Sequence, residues 1–218
     1  MIDVQKIKYD ICSEKVQYLM STDIRLHNLI QSVGSCELQL EKDGFKCLVK
    51  YIVGQQISDK ARETIWNRMQ SITGGITANN IYKTDIKEIQ LTGISERKSR
   101  YIKELSTSIV DGNIIFTDIS HMTNEQIIKK LTALKGIGQW TAEMYLIFSL
   151  GRENVLSSGD GTIKRVTQWL YELKELPTSK EVIEIFEKWK GYETIVSAYF
   201  WATISSGIIK RSIGQMKF

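Results

Sequence analysis

Apolar residues return every third or fourth position along most of this chain, and no sustained run alternates apolar with polar. That spacing builds amphipathic helices and leaves little room for half-buried strands. A single proline, Pro177, is available to break them. Phe45, Leu48, Val49, Ile52 and Val53 line one face of a helix that ends near Gly54. Ala61, Ile65 and Met69 mark the next, with Ser58 as its N-cap. Tyr101, Ile102, Leu105 and Ile109 mark another. Thr123 with Gln126, and Thr178 with Glu181, form capping-box patterns. They precede Ile127, Ile128, Leu131 and Leu134 in one case and Val182, Ile183 and Phe186 in the other. Ile163, Val166, Leu170 and Leu173 are spaced for a further helix, as are Val196, Phe200, Ile204 and Ile208. The expectation is an all-α protein of about ten helices. Residues 75–85 and 108–120 read as links between them.

A chain of 218 residues, 42% hydrophobic and 25% charged, has the balance of a soluble globular protein. That length suits one domain or two small lobes. Its three cysteines, Cys12, Cys36 and Cys47, are odd in number, widely spaced and confined to the first quarter. This points to a reducing cytoplasm, without a disulfide framework. It also excludes a cysteine-held iron–sulfur cluster near the C-terminus. Two histidines, His27 and His121, offer little to a zinc site or a Ser-His-Asp triad. The first residues, MIDVQKIKYDIC, lack a long apolar run, so neither a signal peptide nor a membrane span is expected. A net charge of +4 permits a polyanionic partner without requiring one.

The most informative stretch is 131–150, LTALKGIGQWTAEMYLIFSL. One helix closes near Leu134, and Gly136-Ile137-Gly138 precedes a second that starts near Gln139. Two glycines two apart allow a tight turn. They leave bare amides at a helix N-terminus, where the dipole is positive and a phosphate can dock. Ile137 can plug into the core. A plain helix connection with a glycine cap accounts for the glycines equally well.

Twenty residues beyond Trp140 stands Asp160, between Gly159 and Gly161 and directly before a helix. Aspartate is a favoured N-cap. A carboxylate there is also held anionic by the dipole, so capping and catalysis can coexist.

The string Leu134-x-Gly136-Ile137-Gly138-x-Trp140-Thr141-Ala142 resembles the helix-hairpin-helix of the DNA glycosylase superfamily. Lys135 replaces the usual proline and places a cation beside the phosphate site. The distance to Asp160, and the Ile163-Lys164 that follows, are similar to those of AlkA-like DNA-3-methyladenine glycosylases. Tyr51-Ile52-Val53-Gly54-Gln55-Gln56-Ile57-Ser58 looks like the family's I-x-x-Q-Q-x-S segment. Leu91-Thr92-Gly93-Ile94-Ser95-x-x-Lys98 and Tyr192-x-x-x-Val196-x-x-Tyr199-x-Trp201 also fit. The resemblance spans roughly residues 42 to 207.

The resemblance implies a two-lobed helix-hairpin-helix glycosylase fold with no β domain. The central lobe would be 44–152, the second lobe 1–43 with 153–218, and the active-site cleft would lie between them. It implies a monofunctional base-excision repair glycosylase that acts as a monomer on double-stranded DNA containing damaged bases. Such an enzyme flips an alkylated purine out of the duplex and hydrolyses its N-glycosidic bond. Asp160 would be the catalytic carboxylate, and Trp140 with Tyr51 would wall the base pocket. Trp66, Trp169, Trp189 and Trp201 are assigned to the core. Gln55, Gln56, Ser58, Lys135, Gly136, Ile137, Gly138, Thr141, Lys164 and Arg165 would meet DNA, with Gln56 filling the gap left by the flipped nucleotide. No cofactor is required. The carbonyls of Thr132, Leu134 and Ile137 would hold a monovalent cation. The protein would work in the cytoplasm, on the nucleoid if bacterial. Two other readings are a bifunctional glycosylase/lyase for oxidised bases and a non-catalytic hairpin protein. Trp140 argues against the first, because it occupies the position of the Schiff-base lysine. Asp160 argues against the second.

Overall fold

The computed structural model describes residues 5–209. In chain order the elements are β1 (Lys6–Tyr9), α1 (Glu14–Thr22), α2 (Ile24–Val33), β2 (Cys36–Gln39), α3 (Gly44–Gly54), α4 (Asp59–Thr73), α5 (Ala78–Lys83) and α6 (Ile86–Gln90). They continue with α7 (Glu96–Val110), α8 (Phe116–Ser120), α9 (Asn124–Thr132), α10 (Gln139–Phe148), α11 (Gly161–Leu170), α12 (Ser179–Phe186) and α13 (Glu193–Ser205). A 3-10 turn, Glu187–Trp189, precedes α13. The chain divides into two compact units, one of them Glu41–Leu150 and the other built from the chain on either side of it.

In the continuous unit, α3 packs on α10. The α3 face foreseen from the spacing, Phe45, Leu48, Val49, Ile52 and Val53, is buried, as are Ala142, Leu146 and Ile147 of α10. Ile102 and Leu105 of α7 and Ile127 and Leu131 of α9 complete this core. The expected caps are present: the Ser58 hydroxyl accepts from the Ala61 amide, and Thr123 and Gln126 form a reciprocal box.

Segments 75–85 and 108–120 are not plain links. They contain α5, the N-cap of α6, the last residues of α7, and α8. α5 and α8 each make only one or two turns, too short to display a period. Each instead drives one apolar side chain, Ile81 or Ile119, fully into the core. On α8, the Phe116 ring lies flat against the backbone of Gly44, where an added Cβ would fall 2.6 Å from the ring. The helix count is therefore thirteen among the described residues, above the ten expected.

The discontinuous unit holds α1, α2 and α11 to α13 around Leu19, Leu26, Ile30, Val166, Phe186 and Phe200. Trp189 is fully buried and meets Phe186 edge-on at 4.9 Å. Thr178 and Glu181 form the foreseen capping box on α12. The unit also carries a two-stranded antiparallel sheet, β1 against β2, with Tyr9 opposite Cys36. Four residues per strand give too short an alternation to be recognised in the sequence. Asp23 caps α2, its Oδ1 accepting from the Arg25 and Leu26 amides. Its Oδ2 accepts from the Tyr171 hydroxyl and the Lys188 ammonium, both at 2.6 Å. Burial opposes ionisation of Asp23, but these donors outweigh it and hold its carboxyl below the usual range.

All three cysteines are free. Burial pushes the Cys36 and Cys47 thiols up to about 12. Among the described residues no helix is long and apolar enough to cross a membrane.

Candidate active site and DNA interface

In the hairpin, α9 ends at Thr132 and α10 begins at Gln139. Gly136 has φ +84°, and an added Cβ would fall 2.2 Å from the Tyr101 ring. Only glycine combines that conformation with that approach. Ile137 is 3% exposed, so it anchors the loop as expected. Gly138 is the N-cap of α10, and nothing lies within 4 Å of where its Cβ would stand. The open side of the turn therefore coincides with the positive end of α10. Lys135 is well exposed, with its ammonium 3.8 Å from Glu104.

Trp140 sits in the first turn of α10, half-buried. Its ring meets that of Tyr51 edge-on at 5.7 Å, and Tyr51 meets Phe148 at 5.5 Å. Trp140 and Tyr51 are legible in the sequence, whereas Phe148 joins them through packing alone. Of the tryptophans assigned to the core, Trp189 is fully buried, whereas Trp66, Trp169 and Trp201 are half-buried. Glu143 lies one turn beyond Trp140. It is 5% exposed, and its Oε1 accepts from Gln139 at 2.9 Å.

Of the residues expected to meet DNA, Ile137 and Thr141 have buried side chains and Gln55 is half-buried. Thr141 is 1% exposed, and its hydroxyl accepts from Gln55 Nε2 at 3.0 Å. The same Gln55 nitrogen donates to the Gly136 carbonyl at 3.0 Å. These bonds tie the Gln55 turn to the hairpin. Gln56, by contrast, is exposed and adopts φ +57°. Ser58 is exposed but committed to capping α4.

In the other unit, Asp160 caps α11, its Oδ1 accepting from the Thr162 amide at 2.8 Å and the Ile163 amide at 3.0 Å. The loop before it is pinned to α13, because Val155 and Thr194 exchange hydrogen bonds at 3.2 and 3.1 Å. The carboxylate thus projects from a rigid helix start. Lys164 and Arg165 follow in the first turns of α11, Arg165 exposed and donating to the Thr162 hydroxyl.

A family model described as "HhH-GPD superfamily base excision DNA repair protein" matches residues 49–191. The chain belongs to this family. The HhH-GPD chain is 32% identical over 193 residues to DNA-3-methyladenine glycosylase 1 of Schizosaccharomyces pombe, covering 85% of each. It is also similar to the crystal structure of a DNA-3-methyladenine glycosidase from Bacillus halodurans. There the TM-score is 0.81 at 34% identity, with 94% of this chain and 95% of that one covered. A third likeness is to the Schizosaccharomyces pombe 3-methyladenine DNA glycosylase in complex with abasic DNA. Its TM-score is 0.82 at 29% identity, with 89% and 97% covered. These chains match nearly end to end, so the HhH-GPD protein shares their whole fold and not the hairpin alone.

Proposed function

We propose that this HhH-GPD protein is a monofunctional DNA glycosylase that hydrolyses the N-glycosidic bond of alkylated purines in double-stranded DNA. The reading is carried by the open helix start at Gly138 in one unit and, in the other, by the Asp160 carboxylate that caps α11. The hairpin amides grip a phosphate, assisted by Lys135, Lys164 and Arg165, and so fix register without reading sequence. Gln56, exposed on its turn, would fill the space of an extruded nucleotide.

Breaking the N-glycosidic bond builds positive charge on the sugar. The Asp160 carboxylate stabilises that charge electrostatically and orients the attacking water. An N-alkylated purine is already cationic and departs readily, so no strong general acid is needed. Trp140 and Tyr51 supply aromatic surface for the cationic ring, a contact worth about 0.5–2 kcal/mol.

The carbonyls of Thr132, Leu134 and Ile137 would hold a monovalent cation. The negative end of the α9 dipole favours positive charge there, and Leu134 O keeps a second lone pair beside the bond it accepts from Ile137. The cation would brace the loop. The free cysteines agree with work in a reducing cytoplasm, and the enzyme would act as a monomer.

Product analysis on methylated duplex DNA tests the proposal. Free alkylated base should appear together with an intact abasic strand, which is cut only after alkali is added. Trp140 provides no amine for a Schiff base. A covalent DNA adduct trapped by borohydride would contradict the monofunctional assignment.

A further inference from the structure

The ammonium of Lys98 reaches from α7 to the far end of α3. It donates to the Val53 carbonyl at 2.9 Å and to the Gln55 carbonyl at 2.5 Å. The last carbonyls of a helix have no partner within it, and Lys98 supplies one. A lysine in the first turn of α7 stands at the unfavourable end of that helix's dipole. Its placement there does not serve α7.

The recipient of both bonds is the turn around Gln56. The Gln55 carbonyl belongs to the peptide that leads into Gln56, and Lys98 holds it. The Gln55 side chain is held from the other side by Gly136 and Thr141 of the hairpin. Between these two grips the backbone enters the left-handed region at Gln56, φ +57°. A non-glycine residue keeps such a conformation only when its surroundings enforce it. Gln56 is nevertheless exposed, and no packing of its own side chain enforces it.

We propose that Lys98 and Gln55 are positioning residues. Together they form a strut that fixes the Gln56 turn against the hairpin, so that Gln56 meets DNA at a set distance from the bound phosphate. This rests on the reading above, in which the protein recognises an extruded nucleotide in DNA. It assigns roles to two side chains that touch no DNA themselves.

The test uses the full chain and two probes: a duplex carrying a tetrahydrofuran abasic analogue, and the matching undamaged duplex. The quantity read is the ratio of the two Kd values. Gln56→Ala should lower the preference for the abasic duplex about tenfold, equivalent to about 1.4 kcal/mol. Lys98→Met should lower it comparably, and Lys98→Arg should restore most of it. The decisive measurement is the double variant. If Lys98 acts through Gln56, adding Lys98→Met to Gln56→Ala costs nothing further. If the two losses add, Lys98 is merely structural and the inference falls. Should Lys98→Met not fold, Gln55→Met run through the same cycle tests the other half of the strut, with the same two outcomes. A wild-type protein with no preference for the abasic duplex would overturn the functional reading and the strut with it. An intact preference that Gln56→Ala leaves unchanged would overturn the strut alone.

Discussion

Asp160→Asn should reduce base excision by about two orders of magnitude or more, the loss typical of removing one key electrostatic group. Asparagine caps a helix about as well as aspartate, so α11 should keep its start and the fold its stability. The bonds accepted from Thr162 and Ile163 need only an oxygen, which the amide retains. What disappears is the charge that, in the proposed mechanism, would face the developing sugar cation. Binding to DNA that carries an abasic analogue should survive. A single-turnover excision rate measured beside the melting temperature separates the two roles. A variant that excises at nearly the wild-type rate would reduce Asp160 to a cap.

Gly138→Asp should abolish useful DNA affinity while leaving the protein folded. The position is an N-cap with φ −85° and ψ 175° and open space where a Cβ would stand. Aspartate is a preferred residue there and should stabilise α10, if it has any effect. The new carboxylate would occupy the place of the docked phosphate. Affinity should fall alike for all sequences, and its salt dependence should become shallower as a phosphate contact is lost. Titrations at several salt concentrations, with the melting temperature as control, read both effects. Unchanged affinity in the folded variant would remove the hairpin from the DNA interface.

The long helices were legible because their burial is periodic. The faces of α3, α7 and α9 follow the spacing of their apolar residues, and the caps at Ser58, Thr123, Asp160 and Thr178 follow local chemistry. The short elements were not legible. β1, β2, α5 and α8 each run for six residues or fewer, and contacts distant in sequence decide their form. The same limit applies at the site. The Gly136-Ile137-Gly138 turn and Asp160 announce themselves by spacing. Nothing local to Gln55 or Thr141 reveals that they bond to each other across the unit. Nor does any pattern place Tyr101 against Gly136 or Lys98 under the Gln56 turn. Those contacts exist only once α3, α7 and α10 have packed.

In the proposed mechanism the protein relies on one carboxylate and aromatic surface, and so removes bases that are already good leaving groups. Single-turnover assays on defined duplexes, run side by side, test it most directly. 3-Methyladenine should leave fastest and 7-methylguanine more slowly, because pocket contacts still sort the two. Neutral 8-oxoguanine should scarcely be released, since its departure needs more help than Asp160 gives and its stacking is weaker by on the order of 1 kcal/mol. Faster release of 8-oxoguanine than of 3-methyladenine would contradict the account.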